Sequence, residues 1–319
     1  MKTIQLRRRH ALTLFFAFSL VFTFTSCSKD DSTTGGSGST TIKVTDAPID
    51  DASVSNAFFT IADIQLDGVS VQGFSKTTVD IKAFQNGNTQ TLGNFNLAGK
   101  TYNTITFVLD YDHDASGNMP GCYVVDGGVK HKLETTTNSI TINKSISISG
   151  NASNSIVADF DLRKMIVYAS GAAKYKLATS AELASSIRVV AEKNTSTIFG
   201  QLEDNVSASE KVVVYAYKKG TFNRTTEMQG QGSSNIKFKN AVSSALVTSG
   251  SGNYQLHYLE AGQDYELHFV SYKDTNHDGE MEVQGTLVVS TIGEIDILNL
   301  KLNANATLEV DAVVTAVFP

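Results

Sequence analysis

The stretch "GNYQLHYLEAGQDYELHFVSY", Gly252 to Tyr272, alternates apolar and polar residues with a period of two on both sides of a short break. Tyr254, Leu256 and Tyr258, then Tyr265, Leu267 and Phe269, fall on one face, the pattern of a β-hairpin half-buried against a core. His257 and His268 take the opposite phase, where an exposed cross-strand pair is the ordinary reading and a metal site the rarer one. The same period runs outward in both directions. "ITFVL" alternates Ile105, Phe107 and Leu109, and "SIVADFDL" alternates Ile156, Ala158, Phe160 and Leu162. "TTVDIKAF", "TINKSISIS", "KVVVYAYKKG", "GTLVVS", "IDILNLKL" and "ATLEVDAVVTAVF" read as further strands. Gly87-Asn88, Asp126-Gly127-Gly128 and Gly150-Asn151 supply turn chemistry between them. One short helix is expected at "TSAELASS", and a break near Lys193–Ser196. The fold class that follows is all-β: two tandem antiparallel β-sandwich domains, 41–193 and 197–319.

Composition agrees with that class. The chain of 319 residues is 41% apolar and 18% charged, with no Trp and three prolines. Its formal net charge is −6, and the four basic residues Lys2, Arg7, Arg8 and Arg9 all precede Cys27. Beyond them 22 basic residues face 32 acidic ones, a balance of −10. An acidic chain without a basic stripe speaks against nucleic acid as a partner and against electrostatic adhesion to anionic lipid.

Lys2–His10 is a positive segment and Ala11–Thr25 an apolar run, shorter than the roughly 20 residues a spanning helix needs. Ser26-Cys27 ends the run and resembles the lipobox of bacterial lipoproteins, although Phe24 and Thr25 depart from its commonest form. The resemblance implies a signal peptide over 1–26, lipidation at Cys27 and attachment to the membrane through that lipid. Ser28-Lys29-Asp30-Asp31 resembles the short acidic export tag of Bacteroidota surface lipoproteins, and equally reads as a solvated charge pair of the linker. A flexible linker is expected to complete 27–40. With Cys27 lipidated, Cys122 has no partner and is expected to be a structural or half-exposed thiol.

No histidine sits in an H-E-x-x-H setting, and no G-x-S-x-G elbow or phosphate loop occurs. No catalytic residue is assigned. "DTNHDGEME" places Asp274, Asn276 and Asp278 at alternate positions before a glycine, as in the first half of a calcium loop. The twelfth position is Gly285, so Glu280 or Glu282 would have to close the site; the competing reading is a polar hairpin turn. "DYDHDASGN" offers a looser set, Asp110, Asp112, Asp114 and Asn118. Calcium is the one cofactor these patterns suggest.

"KVTDAPIDDASVSNAFFTIADIQLDG", Lys43–Gly68, with "YNTITFVLD", "DFDLRKMIV", "GAAKYKL" and "SIRVV", resembles the bacterial domain-of-unknown-function family 4382 across most of 41–191. The "DYDHDASGNMPGC" expansion departs from its pattern. The likeness implies an extracytoplasmic β-sandwich, commonly on a lipoprotein, and no assigned activity. Its motif residues here are Asp46 and Pro48 of the T-D-A-P corner, and Asp159 and Asp161 of D-F-D. Asp46 suits an Asx-turn and Pro48 fixes φ. Asp159 and Asp161 share a face opposite Phe160, where they suit a cation or a Lys or Arg on neighbouring strands. The second half is similar to carboxypeptidase regulatory-like, transthyretin-type sandwiches. Together these readings describe a lipid-anchored outer-membrane protein, on the periplasmic or the cell-surface side, with a non-enzymatic binding or scaffolding role toward a glycan or an envelope protein. A glycan-processing accessory protein and an adhesin or assembly subunit are the alternatives.

Overall fold

The computed structural model describes residues 35–47, 54–135, 137–168, 174–277 and 281–319. The first half of the chain forms β1 (Gly35–Ala47), β2 (Val54–Leu66), β3 (Val69–Ser70), β4 (Thr77–Asp80), β5 (Gln90–Gly99), β6 (Thr101–Leu109), β7 (Tyr123–Asp126), β8 (Val129–Lys132), β9 (Ser139–Ser147), β10 (Ser153–Asp161), α1 (Leu162–Met165), β11 (Ile166–Tyr168), β12 (Tyr175–Leu177), α2 (Ser180–Ser186) and β13 (Ile187–Ala191). A 3-10 turn at Glu192–Asn194 leads into the second half. It holds β14 (Thr195–Glu203), β15 (Lys211–Lys218), α3 (Arg224–Glu227), β16 (Ser243–Leu246), β17 (Asn253–Glu260), β18 (Asp264–Lys273), β19 (Glu282–Thr291), β20 (Leu300–Lys301), β21 (Thr307–Glu309) and β22 (Ala312–Phe318). The fold class is all-β.

Two main sheets build the first half, β13-β10-β1-β5 and β8-β7-β2-β6-β9, with β3 and β4 laid along β2, and β11 and β12 form a small third one. They close on one core, in which Ile42 and Phe160 of the first sheet meet Phe59 and Phe107 of the second. Phe160 stands edge-on to Phe107 at 5.2 Å between ring centroids and 6.3 Å from Phe59. Burying such a ring stabilises the fold by about 1.5–3 kcal/mol, so the alternation in "SIVADFDL" is decided by Phe160.

Of the linker expected over 27–40, residues 35–40 are strand, and 27–34 lie outside the described residues. Residues 35–40 are the first part of β1, which pairs antiparallel with β5 from Gly35↔Gly99 and parallel with β10 from Ser39↔Ser153. The glycines serve close packing here. A Cβ on Gly38 would lie 2.3 Å from the Ser149 carbonyl oxygen, and one on Gly36 2.5 Å from Asn151 Oδ1.

In the second half one sheet runs β16-β15-β18-β19-β22-β14-β17, with β20 on β18 and β21 on β14. Its end strands β16 and β17 touch, so the sheet folds over its own core of Ile198, Val214, Leu256, Leu267, Phe269 and Val310. Among the described strands, pairing is antiparallel except β1 with β10 and β14 with β21 and β22; an isolated parallel bridge joins Glu134 and Lys176. Gly252–Tyr272 is therefore two strands as expected, but not a paired hairpin: β17 bonds to β14, while β18 bonds to β15, β19 and β20. Tyr254 and Phe269 still meet edge-on at 5.3 Å, across the core instead of along a ladder. "IDILNLKL" contributes only Leu300–Lys301 as strand.

The unbroken apolar run of β15 has a specific cause. Val212, Val214 and Ala216 face the main core, while Val213, Tyr215 and Tyr217 face a second cluster with Phe238, Ala241, Val270 and Tyr272. The lid over that second face is the long connection between β15 and β16, which contains α3. Phe238 stacks on Tyr215 at 4.4 Å. Buried Glu227 fixes the connection by accepting bonds from Tyr217 Oη (3.0 Å), Asn240 Nδ2 (2.6 Å) and the Asn240 N–H (3.1 Å).

Candidate functional site

The residues singled out by the T-D-A-P and D-F-D motifs come together where the two halves meet. In the parallel register of β1 and β10, Thr45 lies beside Asp159, Asp46 beside Phe160 and Ala47 beside Asp161. Asp46, Asp159 and Asp161 are 6%, 5% and 6% exposed, so three acids share one dry region. Pro48 lies outside the described residues. Asp46 Oδ2 accepts from Gln85 Nε2 at 3.0 Å and its Oδ1 from the Leu162 N–H at 3.4 Å, while the rest of an Asx-turn beyond Ala47 lies outside the described residues. Burial, reinforced by the neighbouring Asp159 and Asp161 charges, raises the Asp46 pKa well above the ordinary carboxylate range. Asp159 is raised as well, by burial, against the opposing pull of Arg188.

The two D-F-D carboxylates pair with basic side chains, Asp159 with one on a neighbouring strand and Asp161 with two on α1. Asp159 Oδ2 accepts from Arg188 on β13, its register partner, at 2.6 Å. Asp161 Oδ2 accepts from Arg163 at 2.8 Å and lies 3.1 Å from Lys164 Nζ, both on α1. Burial lowers the Lys164 pKa. Each cation also donates to the second half. Arg163 donates to the carbonyls of Lys237 (2.7 Å) and Phe238 (3.0 Å), Lys164 to Ala241 (2.6 Å), and Arg188 to Tyr258 and to His257 (3.4 Å).

Two of these acceptors sit in unusual backbone. Phe238 has φ 49° and Tyr258 φ 56°, left-handed conformations that cost an aromatic residue about 1–2 kcal/mol. Both turn a carbonyl toward an arginine, and charge-assisted bonds of about 1.5–3 kcal/mol each offset the strain. Further contacts cross the same seam. Tyr258 Oη donates to the Gly87 carbonyl at 2.8 Å, Lys144 pairs with Glu260 at 2.5 Å, and Ile236 joins the first core. Glu182, in the capping box of α2, accepts from the Ser234 N–H (3.2 Å), from Ser234 Oγ and from Thr179 Oγ1 (2.6 Å). Burial would raise Glu182, but these bonds prevail and bring it down to about 2.

The other expected residues are placed apart from this joint. Cys27, Asp278 and Glu280 lie outside the described residues. Asp274 and Asn276 occupy the connection between β18 and β19, as the strand pattern predicts. There Glu282 Oε2 accepts from the Thr275 N–H and Oγ1, each at 2.8 Å, and the Asp274 N–H donates to Glu210 at 3.4 Å. In the second loop, Asp110 pairs with Lys76 at 2.7 Å and caps the N–H groups of Asp112 and His113. Those bonds, the Lys76 one first, hold Asp110 at about 2. Asp112 pairs with Lys132 at 2.6 Å, and Asp114 accepts from the N–H groups of Ser116 and Asn118. Their charges are thus met by lysines and backbone, and among the described residues no group of three or more His, Cys, Asp or Glu is arranged for a metal.

His257 and His268 are not neighbours. His257 meets Thr197 Oγ1 at 3.2 Å, whereas His268 stacks on Phe222 at 3.7 Å, where burial holds its pKa at about 4. Cys122 is fully buried, its Sγ donating to the Asp110 carbonyl at 3.3 Å, and burial raises its thiol to about 12. It is a structural thiol.

Comparisons with solved structures give loose likenesses only. The TIE protein of Bacillus anthracis is 10% identical with a TM-score of 0.20, covering 87% of this chain and 34% of its own. This chain therefore spans about a third of that protein's length. The fimbrial anchor protein Mfa2 of Porphyromonas gingivalis is 10% identical with a TM-score of 0.21, covering 88% of this chain and 96% of its own. The major pilin protein of Streptococcus pyogenes is 12% identical with a TM-score of 0.16, at 87% and 96% coverage. No curated protein matches the chain. Residues 37–179 match the family described as Domain of unknown function (DUF4382), with the D-F-D acids, Arg163 and Lys164 inside the match and Arg188 beyond its end.

Proposed function

We propose that the chain is a non-enzymatic envelope protein that works as a rigid two-sandwich binding or scaffolding module. The observation that carries this reading is the fate of the motif acids. Asp159 and Asp161 are buried and neutralised by cations whose other donors grip the second sandwich, so their charge is spent inside the molecule. A glycoside hydrolase needs two carboxyls facing a substrate across an open cleft. Acids that are 5–6% exposed and already paired do not meet that need.

Lipidation of Cys27, an outer-membrane and surface-exposed location, and calcium held by Asp274, Asn276, Asp278 and Glu280 or Glu282 belong to the same proposal and rest on the sequence patterns. The partner would be a glycan or another envelope protein. A binding screen of glycans and matrix proteins against the Ser28–Pro319 chain tests the reading. Turnover of a glycan by that chain, lost in Asp159→Asn while its stability is kept, would replace it with the enzyme reading.

A further inference from the structure

Beside the buried joint the two sandwiches leave a cleft of about 320 Å³ between them. That is the size of a small-ligand site. Lys144 of β9, Lys164 of α1 and Arg188 of β13 line it from the first sandwich; Lys218 of β15 and Lys239 of the β15–β16 connection line it from the second. Only Asp159, Asp161 and Glu260 oppose them along the lining. Five cations against three acids make a local positive excess in a molecule whose formal charge is −6. Asp161 is moreover shared between Lys164 and Arg163, which leaves less of it for the cleft.

The cations fall into two layers. Arg188 and Lys164 are fixed at the floor by Asp159 and Asp161. Nearer the rim, Lys144 is tied to Glu260, Lys239 reaches Glu182 only at 3.8 Å, and exposed Lys218 makes no ion pair among the described residues. Glu182 in turn is engaged by Ser234 and Thr179. A concave wall of one sign focuses the potential and concentrates counter-ions.

We propose that this cleft is an oxyanion site, in which Lys218 and Lys239, with Lys144 beside them, hold the carboxylate, sulfate or phosphate group of a small ligand at the seam of the two sandwiches. Such a ligand touches both halves at once, so its binding stabilises the joint by mass action. The site stands independently of the lipid anchor and of any calcium loop.

The test is titration calorimetry of the Ser28–Pro319 chain, which keeps every described residue, with sodium sulfate, sodium phosphate and sodium glucuronate at constant ionic strength, and glucose as the neutral control. Melting curves alone do not suffice, because sulfate and phosphate strengthen burial non-specifically. At least one oxyanion should bind with Kd on the order of 1 mM, and glucose should not. Lys218→Ala/Lys239→Ala should weaken binding at least about tenfold with the unliganded melting temperature unchanged. Glu260→Gln, which releases Lys144, should tighten it several-fold. Preference for glucuronate assigns the site to an acidic sugar, and preference for sulfate or phosphate to the ion itself; both support the proposal. Binding of glucose equal to glucuronate, no oxyanion binding up to about 10 mM, or unchanged affinity in both Lys218→Ala and the double variant overturns it.

Discussion

Arg188→Met removes one guanidinium and leaves the shape of the β13 side chain largely intact. In the native joint that group answers Asp159 at 2.6 Å and the carbonyls of Tyr258 and His257 on the far side of the seam. The pair is well buried, with side-chain exposures of 16% for Arg188 and 7% for Asp159. Breaking a buried pair from one side costs about 3–5 kcal/mol, because the other charge is left without compensation. The variant should therefore lose about 3–5 kcal/mol in urea unfolding at pH 7. The pH dependence supplies the sharper check. Burial already raises Asp159, and removing Arg188 takes away what holds it down. An acid whose folded pKa exceeds its unfolded value of about 4 contributes stability below pH 4 and loses it as pH rises through the folded pKa. The deficit of Arg188→Met should thus be largest at pH 7 and shrink toward pH 4. Asp159→Asn in the Arg188→Met background should recover part of the loss at pH 7, since it removes the orphaned charge. A deficit below about 1 kcal/mol, or one of equal size at pH 7 and pH 4, would refute the assignment of Arg188 and Asp159 to a charge-neutralised joint.

Cys27→Ser should release the protein from membranes or leave its signal peptide uncleaved, read by fractionation and mass spectrometry of the mature N-terminus. Calcium at millimolar levels should raise the melting temperature slightly through the β18–β19 connection, and Asp278→Ala should abolish the increment; indifference of the wild type would make the loop a turn only. The two sandwiches should melt in one calorimetric transition, because Ile236 of the second half packs in the first core and the cations bridge the seam; two resolved transitions would contradict the joint. Gly38→Ala should destabilise by about 1–3 kcal/mol in urea unfolding, since its Cβ would press on the Ser149 carbonyl at 2.3 Å.

The strands were the most legible feature. Alternation in β6 and β9 reports a sheet with one buried face, and the structure places Ile105 and Ile142 in the core accordingly, whereas β10 is buried on both faces, with Phe160 in the core and Asp159 and Asp161 at the joint. Partner choice was not legible, because a period of two says which face a residue takes and nothing about which strand lies beside it. Hence β17 and β18 were recognised as strands and mispaired as a hairpin. The glycines of 35–40 read as a linker because composition does not separate glycine needed for close backbone approach from glycine that merely adds freedom. At the joint, the motifs mark Asp46, Asp159 and Asp161, whereas no motif marks Arg163, Lys164 or Arg188. A signal existed: "DFDLRKM" sets two cations beside two acids in an otherwise apolar segment, and "SIRVV" places a lone arginine in a buried strand. Charges so placed are affordable only when paired.

The parallel pairing of β1 with β10 bears on how the molecule carries tension. If Cys27 is the anchor, pull from the membrane enters the described fold at Gly35 and runs along β1. That strand lies inside its sheet, flanked by β5 on one side and by nine consecutive residue pairs with β10 on the other. A force along its length loads these bonds together, in shear, instead of opening them one at a time from an end. The strand on which the tether pulls is then held along its length on both edges, and the load passes through β10 to Asp159 and Asp161 and on to the second sandwich.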